Sequence, residues 1–171
     1  MKREGNENSL PRLGWGSDMK ISQKVYESIL GPIYLRATDH LLLSLDFNAP
    51  ERPNLTGSNA LLDEASKQLD EYFNGKRKGF DLPFEVQGTS FQKRVLEAMS
   101  SIPYGGVISY SKLASQIGHP MAFRAVGNAC NRNKIPLIIP CHRVVGVSDL
   151  GGFGCGLDKK KFLLELEEPK Y

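Results

Sequence analysis

A chain of 171 residues with a mean hydropathy of −0.31 has room for one large domain or two small ones, and the composition of neither a disordered nor a membrane protein. Apolar runs such as 41–43 and 137–139 fall far short of the roughly 20 residues a membrane helix needs, and residues 1–20 carry charge and turn formers where a secretory leader would be apolar. The net charge of +3 is unevenly spread: residues 86–143 hold seven basic side chains against one acid, Glu97, while residues 1–85 hold 11 basic and 13 acidic, so both a polyanionic partner and a merely solvated basic face fit the middle of the chain.

In chain order, residues 1–18 are Gly/Asn/Ser-rich and aperiodic and read as a flexible tail. Residues 24–30 (KVYESIL), 33–37 (IYLRA) and 41–47 (LLLSLDF) are β-compatible runs separated by Gly31-Pro32 and Thr38-Asp39-His40, the pattern of an antiparallel meander. A Pro/Asn/Gly-rich loop fills 48–58. Leu61, Leu62, Ala65, Leu69, Tyr72 and Phe73 then share one helical stripe, with Ser58 or Asn59 as cap and Gly75 as stop. The polar stretch 75–83 reads as a linker, which sets a boundary near Pro83 and domains of 19–83 and 84–171.

The second domain opens on Thr89-Ser90-Phe91-Gln92, a capping box, ahead of an amphipathic helix carrying Phe91, Val95, Leu96 and Met99. Val107-Ile108 is a short β-branched run. Ser109 caps a helix with Leu113, Ala114 and Ile117 that stops at Gly118, and Pro120, at a first helical position, opens another over 121–130. Two short helices across a tight glycine turn make a helix-turn-helix packed through Leu113, Ile117, Val126 and Ala129. That geometry also occurs in proteins that bind no DNA; the basic charge is what points it toward nucleic acid. Residues 135–139 (IPLII) read as a buried strand leading into Pro140-Cys141-His142-Arg143. After a glycine-rich turn at 151–156, a last helix turns Phe162, Leu163 and Leu166 inward, with Lys159, Lys160 and Lys161 set against its dipole for no reason visible in the sequence. The fold class is α+β: a small N-terminal antiparallel sheet with one helix, then a helix-turn-helix, winged-helix-like domain.

Three cysteines, Cys130, Cys141 and Cys155, form no CxxC pair and cannot all pair internally, which fits a reducing, cytoplasmic setting rather than a disulfide scaffold. Cys141 carries the chemistry. Most free cysteines are small buried hydrophobes, but a thiol beside imidazole and cationic groups ionises below its free value, and thiolate is the reactive form. On an extended segment His142 would point away from Cys141, so a bridging water is needed to couple them, with a carboxylate orienting the other ring nitrogen.

The stretches IPCHRV (139–144), YGGVISYSKLA (104–114), FRAVGNA (123–129) and RNKIPLIIP (132–140) closely resemble the O6-alkylguanine-DNA alkyltransferases, also called methylated-DNA–protein-cysteine methyltransferases, over roughly residues 84–168. The resemblance implies that Cys141 accepts an alkyl group from O6 of guanine, and more weakly from O4 of thymine, in one irreversible displacement. It makes His142 the base acting through water, Glu167 the carboxylate that orients it, and Tyr110 the hydroxyl supporting the leaving guanine as charge develops. Arg124 is similar to the arginine that fills the space of the flipped nucleotide. Ala122, Ala125 and Gly127 keep its helix slim enough for the minor groove, and Ser90, Tyr110 and Asn128 contact the DNA backbone. Asn133 ties the recognition helix to the active-site segment, Pro136, Val144, Phe153 and Gly154 line the guanine pocket, and Gly106 and Val107 let backbone approach the base. Each has a plainer reading: Tyr110 as a wedge between helices, Glu167 as a solvated acid, Arg124 as a phosphate contact.

Two positions depart from the family pattern. Cys155 stands beside the pocket where small residues are usual, and Phe123 replaces the alanine common beside the arginine. The N-terminal half holds no cysteine, so the zinc site of some family members lacks its ligands, and no metal or cofactor is expected. The expected partner is double-stranded DNA containing O6-alkylguanine, bound by a monomer, with cooperative assembly along DNA left open and no membrane contact. The competing reading is a sensor of alkylated DNA that does not react; such sensors generally lack the cysteine that is present here.

Overall fold

Three strands begin the computed structural model, which describes residues 19–50 and 57–168; the tail expected over 1–18 lies outside the described residues. β1 (Ser22–Ser28), β2 (Gly31–Ala37) and β3 (Leu42–Asp46) form the expected antiparallel meander in that order. β1 starts two residues earlier than hydropathy suggests, because Ser22 pairs with Ala37 at the end of the ladder. Alternation puts Ile33, Leu35 and Ala37 on the buried face of β2. Against this sheet packs α1 (Ala60–Phe73), burying Leu62, Ala65, Leu69 and Tyr72.

Asn59 caps α1 and also ties it to the sheet. Its Oδ1 accepts from Leu62 N at 2.9 Å while its Nδ2 donates to Thr38 O at 3.0 Å. Residues 74–89 contain no helix or strand, in keeping with a linker, but they are well anchored: Leu42 N donates to Pro83 O at 2.8 Å.

The second half runs α2 (Ser90–Ser100), β4 (Ile108–Ser109), α3 (Tyr110–Gln116), α4 (Phe123–Asn131), a single 3-10 turn (Cys141–Arg143), β5 (Val144–Val145) and α5 (Leu157–Glu167). Both caps read from sequence are in place: Thr89 and Gln92 close a reciprocal capping box, and Ser109 accepts from Lys112 N. α3 and α4 pack as the helix-turn-helix, with Leu113, Val126 and Ala129 buried and Ile117 half-buried. The apolar interior is continuous from Ile33 in β2 to Leu163 in α5.

Two expectations are corrected. Pro120 does not open α4; Ala122 N bonds back to His119 O at 2.9 Å, so Pro120 sits in a turn and the helix starts at Phe123. Residues 135–139 are not a strand: Pro136 and Pro140 remove two donors, Leu137 takes a left-handed φ of 75°, and Ile139 N turns back to Ile135 O at 3.0 Å. The β-branched run reflects burial rather than pairing. The pairing instead joins β4 to β5 in parallel, Ile108 opposite Val144, over two residues too short to be read from periodicity.

Replacing Asn59 by alanine removes a helix cap and an inter-element bond together. The expected loss is about 1–2 kcal/mol of unfolding free energy, measured as a lower urea midpoint with an unchanged slope.

Candidate active site

The segment from Asn133 to Cys141 is folded by one side chain. Asn133 Oδ1 accepts from Ile135 N at 3.1 Å and its Nδ2 donates to Ile139 O at 2.8 Å, so the amide stands in for the strand pairing that two prolines forbid. Pro140, at φ −81° and ψ 69°, makes an inverse γ-turn closed by Cys141 N to Ile139 O at 2.8 Å. Cys141 therefore begins a 3-10 turn and is not part of an extended chain, which overturns the expectation that His142 points to the opposite side of a strand.

Cys141, His142 and Arg143 are all buried. His142 Nε2 lies 2.8 Å from Glu167 Oε1. A carboxylate offers only acceptors, so Nε2 carries the hydrogen and Nδ1 is left with a lone pair. Nδ1 is buried and has no hydrogen-bond partner among the described residues. Arg143 meets the same carboxylate twice, Nε to Oε2 at 2.9 Å and an Nη to Oε1 at 2.7 Å, and its other Nη donates to Ile102 O at 2.7 Å. Tyr72 from α1 donates to Oε1 at 2.7 Å.

The electrostatics follow from these contacts. Burial alone would push the Glu167 carboxyl up, but the donors from His142, Arg143 and Tyr72 hold it down at about 2. Burial pushes His142 below its ordinary value against the pull of Glu167, so the ring is neutral. Burial also pushes the Cys141 thiol up, opposed by Asn133, by the Lys160 charge and by the amides of Cys141 and His142. The sequence suggested a thiol ionised by its neighbours; the structure shows desolvation outweighing them, so ionisation calls for a base that takes the proton.

A small pocket opens onto Cys141, lined by Pro136, Phe153 and Gly154 as expected, and also by Cys130, Asn133, Gly152 and Cys155. Val144 is not among its walls: it is fully buried where β5 pairs with β4. Burial pushes both Cys130 and Cys155 up to about 12, which leaves two unreactive thiols beside Cys141 at neutral pH. Tyr110 donates to Gly152 O at 3.2 Å. A Cβ on Gly151, whose φ is +69°, would come within 2.6 Å of the Tyr110 ring, while Gly127 of α4 faces that ring at van der Waals distance. Tyr110 is thus wedged between helix and loop with its hydroxyl toward the pocket wall.

Sequence reasoning missed three residues that build this site. Tyr72 read only as core, and Arg143 counted as surface charge although it is buried in an ion pair. Lys160, the unexplained lysine, is fully buried and donates to Val144 O at 2.6 Å and Gly152 O at 2.9 Å, with its ammonium 5.8 Å from the Tyr110 ring centroid. The clash of three lysines with a helix dipole was the one available signal.

Arg124, Ala125 and Asn128 are exposed on the side of α4 opposite its buried Val126, Ala129 and Cys130, with Ala122 and Gly127 half-buried at its margin. Phe123 is 44% exposed and Met121 85%. Arg124 makes no hydrogen bond or ion pair among the described residues. Lys93, Arg94, Lys112, Arg132 and Lys134 are exposed as well, and so is Ser90 at the first turn of α2. No group of His, Cys, Asp and Glu among the described residues could hold a metal ion, and no described helix is long and apolar enough to cross a membrane.

Lys160→Met leaves two buried carbonyls without their donor. It is expected to lower the unfolding free energy by about 2–3 kcal/mol and to speed amide hydrogen exchange across residues 151–156, read by mass spectrometry.

Comparison with known proteins gives the same reading from outside. The family model described as the 6-O-methylguanine DNA methyltransferase ribonuclease-like domain matches residues 21–86, and that of the DNA binding domain matches residues 90–169. The methylated-DNA–protein-cysteine methyltransferase of Methanosarcina barkeri is 45% identical over 150 residues, covering 84% of this chain and 95% of the relative. That of Mycobacterium leprae is 43% identical over 147 residues, covering 83% and 89%. The crystal structure of Mycobacterium tuberculosis OGT in complex with DNA superimposes with a TM-score of 0.80 at 40% identity, covering 86% of this chain and 92% of that one. This chain belongs to the 6-O-methylguanine DNA methyltransferase family.

Proposed function

We propose that this chain is a direct-reversal DNA repair protein that extrudes O6-alkylguanine from double-stranded DNA and moves the alkyl group onto Cys141, once per molecule and irreversibly. The observation that carries the reading is the buried thiol next to a neutral imidazole whose Nε2 is fixed by Glu167 and whose Nδ1 is unpartnered. That is the arrangement of a nucleophile, a base and its orienting group.

Transfer follows from the geometry. O6 of guanine is buried in the base stack, so the nucleotide must leave it at a cost of a few kcal/mol. Arg124, exposed and unpaired on a helix face thinned by Ala125 and Gly127, takes the vacated space from the minor groove. Ser90 and Asn128 bind backbone on either side. In the pocket, the proton of Cys141 passes through water to His142 Nδ1. The thiolate attacks the alkyl carbon, an S–C bond forms, the C–O6 bond breaks, and its electron pair stays on guanine, where the Tyr110 hydroxyl meets the developing charge. A thioether has no route back, so the protein is consumed. O4-alkylthymine presents the same alkyl ether and is taken more weakly. Cys155 narrows the pocket, which favours small alkyl groups. The protein acts intracellularly as a single chain.

With duplex DNA carrying radiolabelled O6-methylguanine, one methyl per chain is expected on Cys141, located by peptide mass spectrometry. Cys141→Ser keeps DNA binding and accepts none. Arg124→Ala slows transfer from duplex by roughly 10- to 100-fold, the scale of the extrusion cost, and leaves transfer from the free base unchanged. Multiple turnover, or loss of the lesion with Cys141 unmodified, contradicts the reading.

A further inference from the structure

The N-terminal domain reaches into the proposed chemistry through one hydroxyl. Tyr72 and Glu167 are each 1% exposed, and their hydrogen bond spans 95 residues of chain. Among the described residues, Glu167 Oε1 accepts three donors, from Tyr72, His142 and Arg143, whereas Oε2 accepts only Arg143 Nε. Arg143 already balances the carboxylate's charge, so the neutral hydroxyl is not needed for that. What it adds is a third direction of constraint on the oxygen that holds His142.

The Tyr72 ring is itself fixed. Phe73, Phe80 and Tyr104 surround it with ring centroids at 5.4, 5.3 and 6.2 Å, the first and last edge-on. Burial and the neighbouring carboxylate push its hydroxyl above the ordinary tyrosine range, so it serves as a donor at any working pH. The titratable and charged groups around the pair are Glu167 and Lys160 from α5, Cys141 and Arg143 beside His142, Tyr72 from α1, and Tyr104 from the loop after α2.

Resting on the proton path proposed above, we infer that Tyr72 is a positioning residue for alkyl transfer: through Glu167 it sets the orientation and basicity of His142. The sign follows from the hydrogen bond. A donor on Oε1 draws electron density from the carboxylate and weakens its stabilisation of a protonated imidazole. Removing the donor raises the His142 pKa, so a larger share of the ring is protonated, and unable to accept the Cys141 proton, at low pH.

The test is the single-turnover rate of methyl transfer against pH in the full chain, for wild type, Tyr72→Phe and Leu62→Ala. Tyr72→Phe keeps the ring and removes only the hydroxyl. Its acid limb is expected to move to higher pH, with a rate at neutral pH lower by roughly tenfold, the weight of one hydrogen bond to a charged group, and unchanged affinity for undamaged duplex. Leu62→Ala opens a cavity in the same helix ten residues before Tyr72 and is expected to lower the melting temperature while leaving the limb in place. A chain with 4-aminophenylalanine at position 72, a weaker donor filling the same space, is expected to have its limb above that of wild type. An unmoved limb in both position-72 variants, or an equal movement in Leu62→Ala, overturns the Tyr72 assignment alone. A wild-type profile with no acid limb overturns the His142 proton path and this inference with it.

Discussion

Glu167 is a carboxylate in the interior of the protein, and it is held there by four hydrogen bonds from three residues in two separated parts of the chain. An isolated buried charge of this kind would take up a proton. Here Arg143 neutralises it bidentately, and His142 and Tyr72 complete its coordination. The arrangement is cooperative: remove the carboxylate and Arg143 is left buried and unpaired, a loss of about 3–5 kcal/mol in comparable pairs. The same charge that organises the junction of α1, α5 and the 3-10 turn also fixes which nitrogen of His142 bears hydrogen. Stability and chemistry therefore rest on one group.

From that junction the site extends in two directions. Toward α4, Asn133 folds the proline-rich turn that follows that helix and delivers Cys141 to the pocket, while Cys130 on the inner face of α4 forms part of the pocket wall. The helix that presents Arg124 outward is thus also a wall of the pocket that opens onto Cys141. Toward α5, Lys160 clamps the loop bearing Phe153 and Gly154 to β5 through two carbonyls. Leu45 N of β3 donates to Lys134 O at 2.9 Å, so the N-terminal sheet supports the turn leading to Cys141 as Tyr72 supports the carboxylate behind it.

The elements that carry local signals were legible in the sequence: the strand meander, although its first turn falls at Ile29-Leu30 and the expected turn residues Gly31-Pro32 open β2, the α1 stripe, the capping box at Thr89 and Gln92, and the Ser109 cap. Cys141, His142 and Glu167 were named from motif and resemblance, and the structure brings His142 and Glu167 to within 2.8 Å. What could not be read depends on contacts between distant segments. Nothing in the spacing of Tyr72 separates a core tyrosine from one that donates to a residue 95 positions away. Arg143 looked like surface charge because a count of charges is blind to burial. Residues 135–139 failed for a different reason: β-branched residues mark burial as well as strands, and only the backbone accounting around Pro136 and Pro140 distinguishes the two.

Central to the account is a neutral His142 with hydrogen on Nε2 and a bare, basic Nδ1, imposed by an ionised Glu167. Nitrogen-15 NMR of the histidine-labelled full chain at neutral pH reads this directly, with His142→Asn to assign the signal. The account predicts a neutral ring with Nε2 protonated and Nδ1 unprotonated. A doubly protonated imidazolium, or the tautomer with hydrogen on Nδ1, would contradict it, because neither can take a proton from Cys141 at that nitrogen.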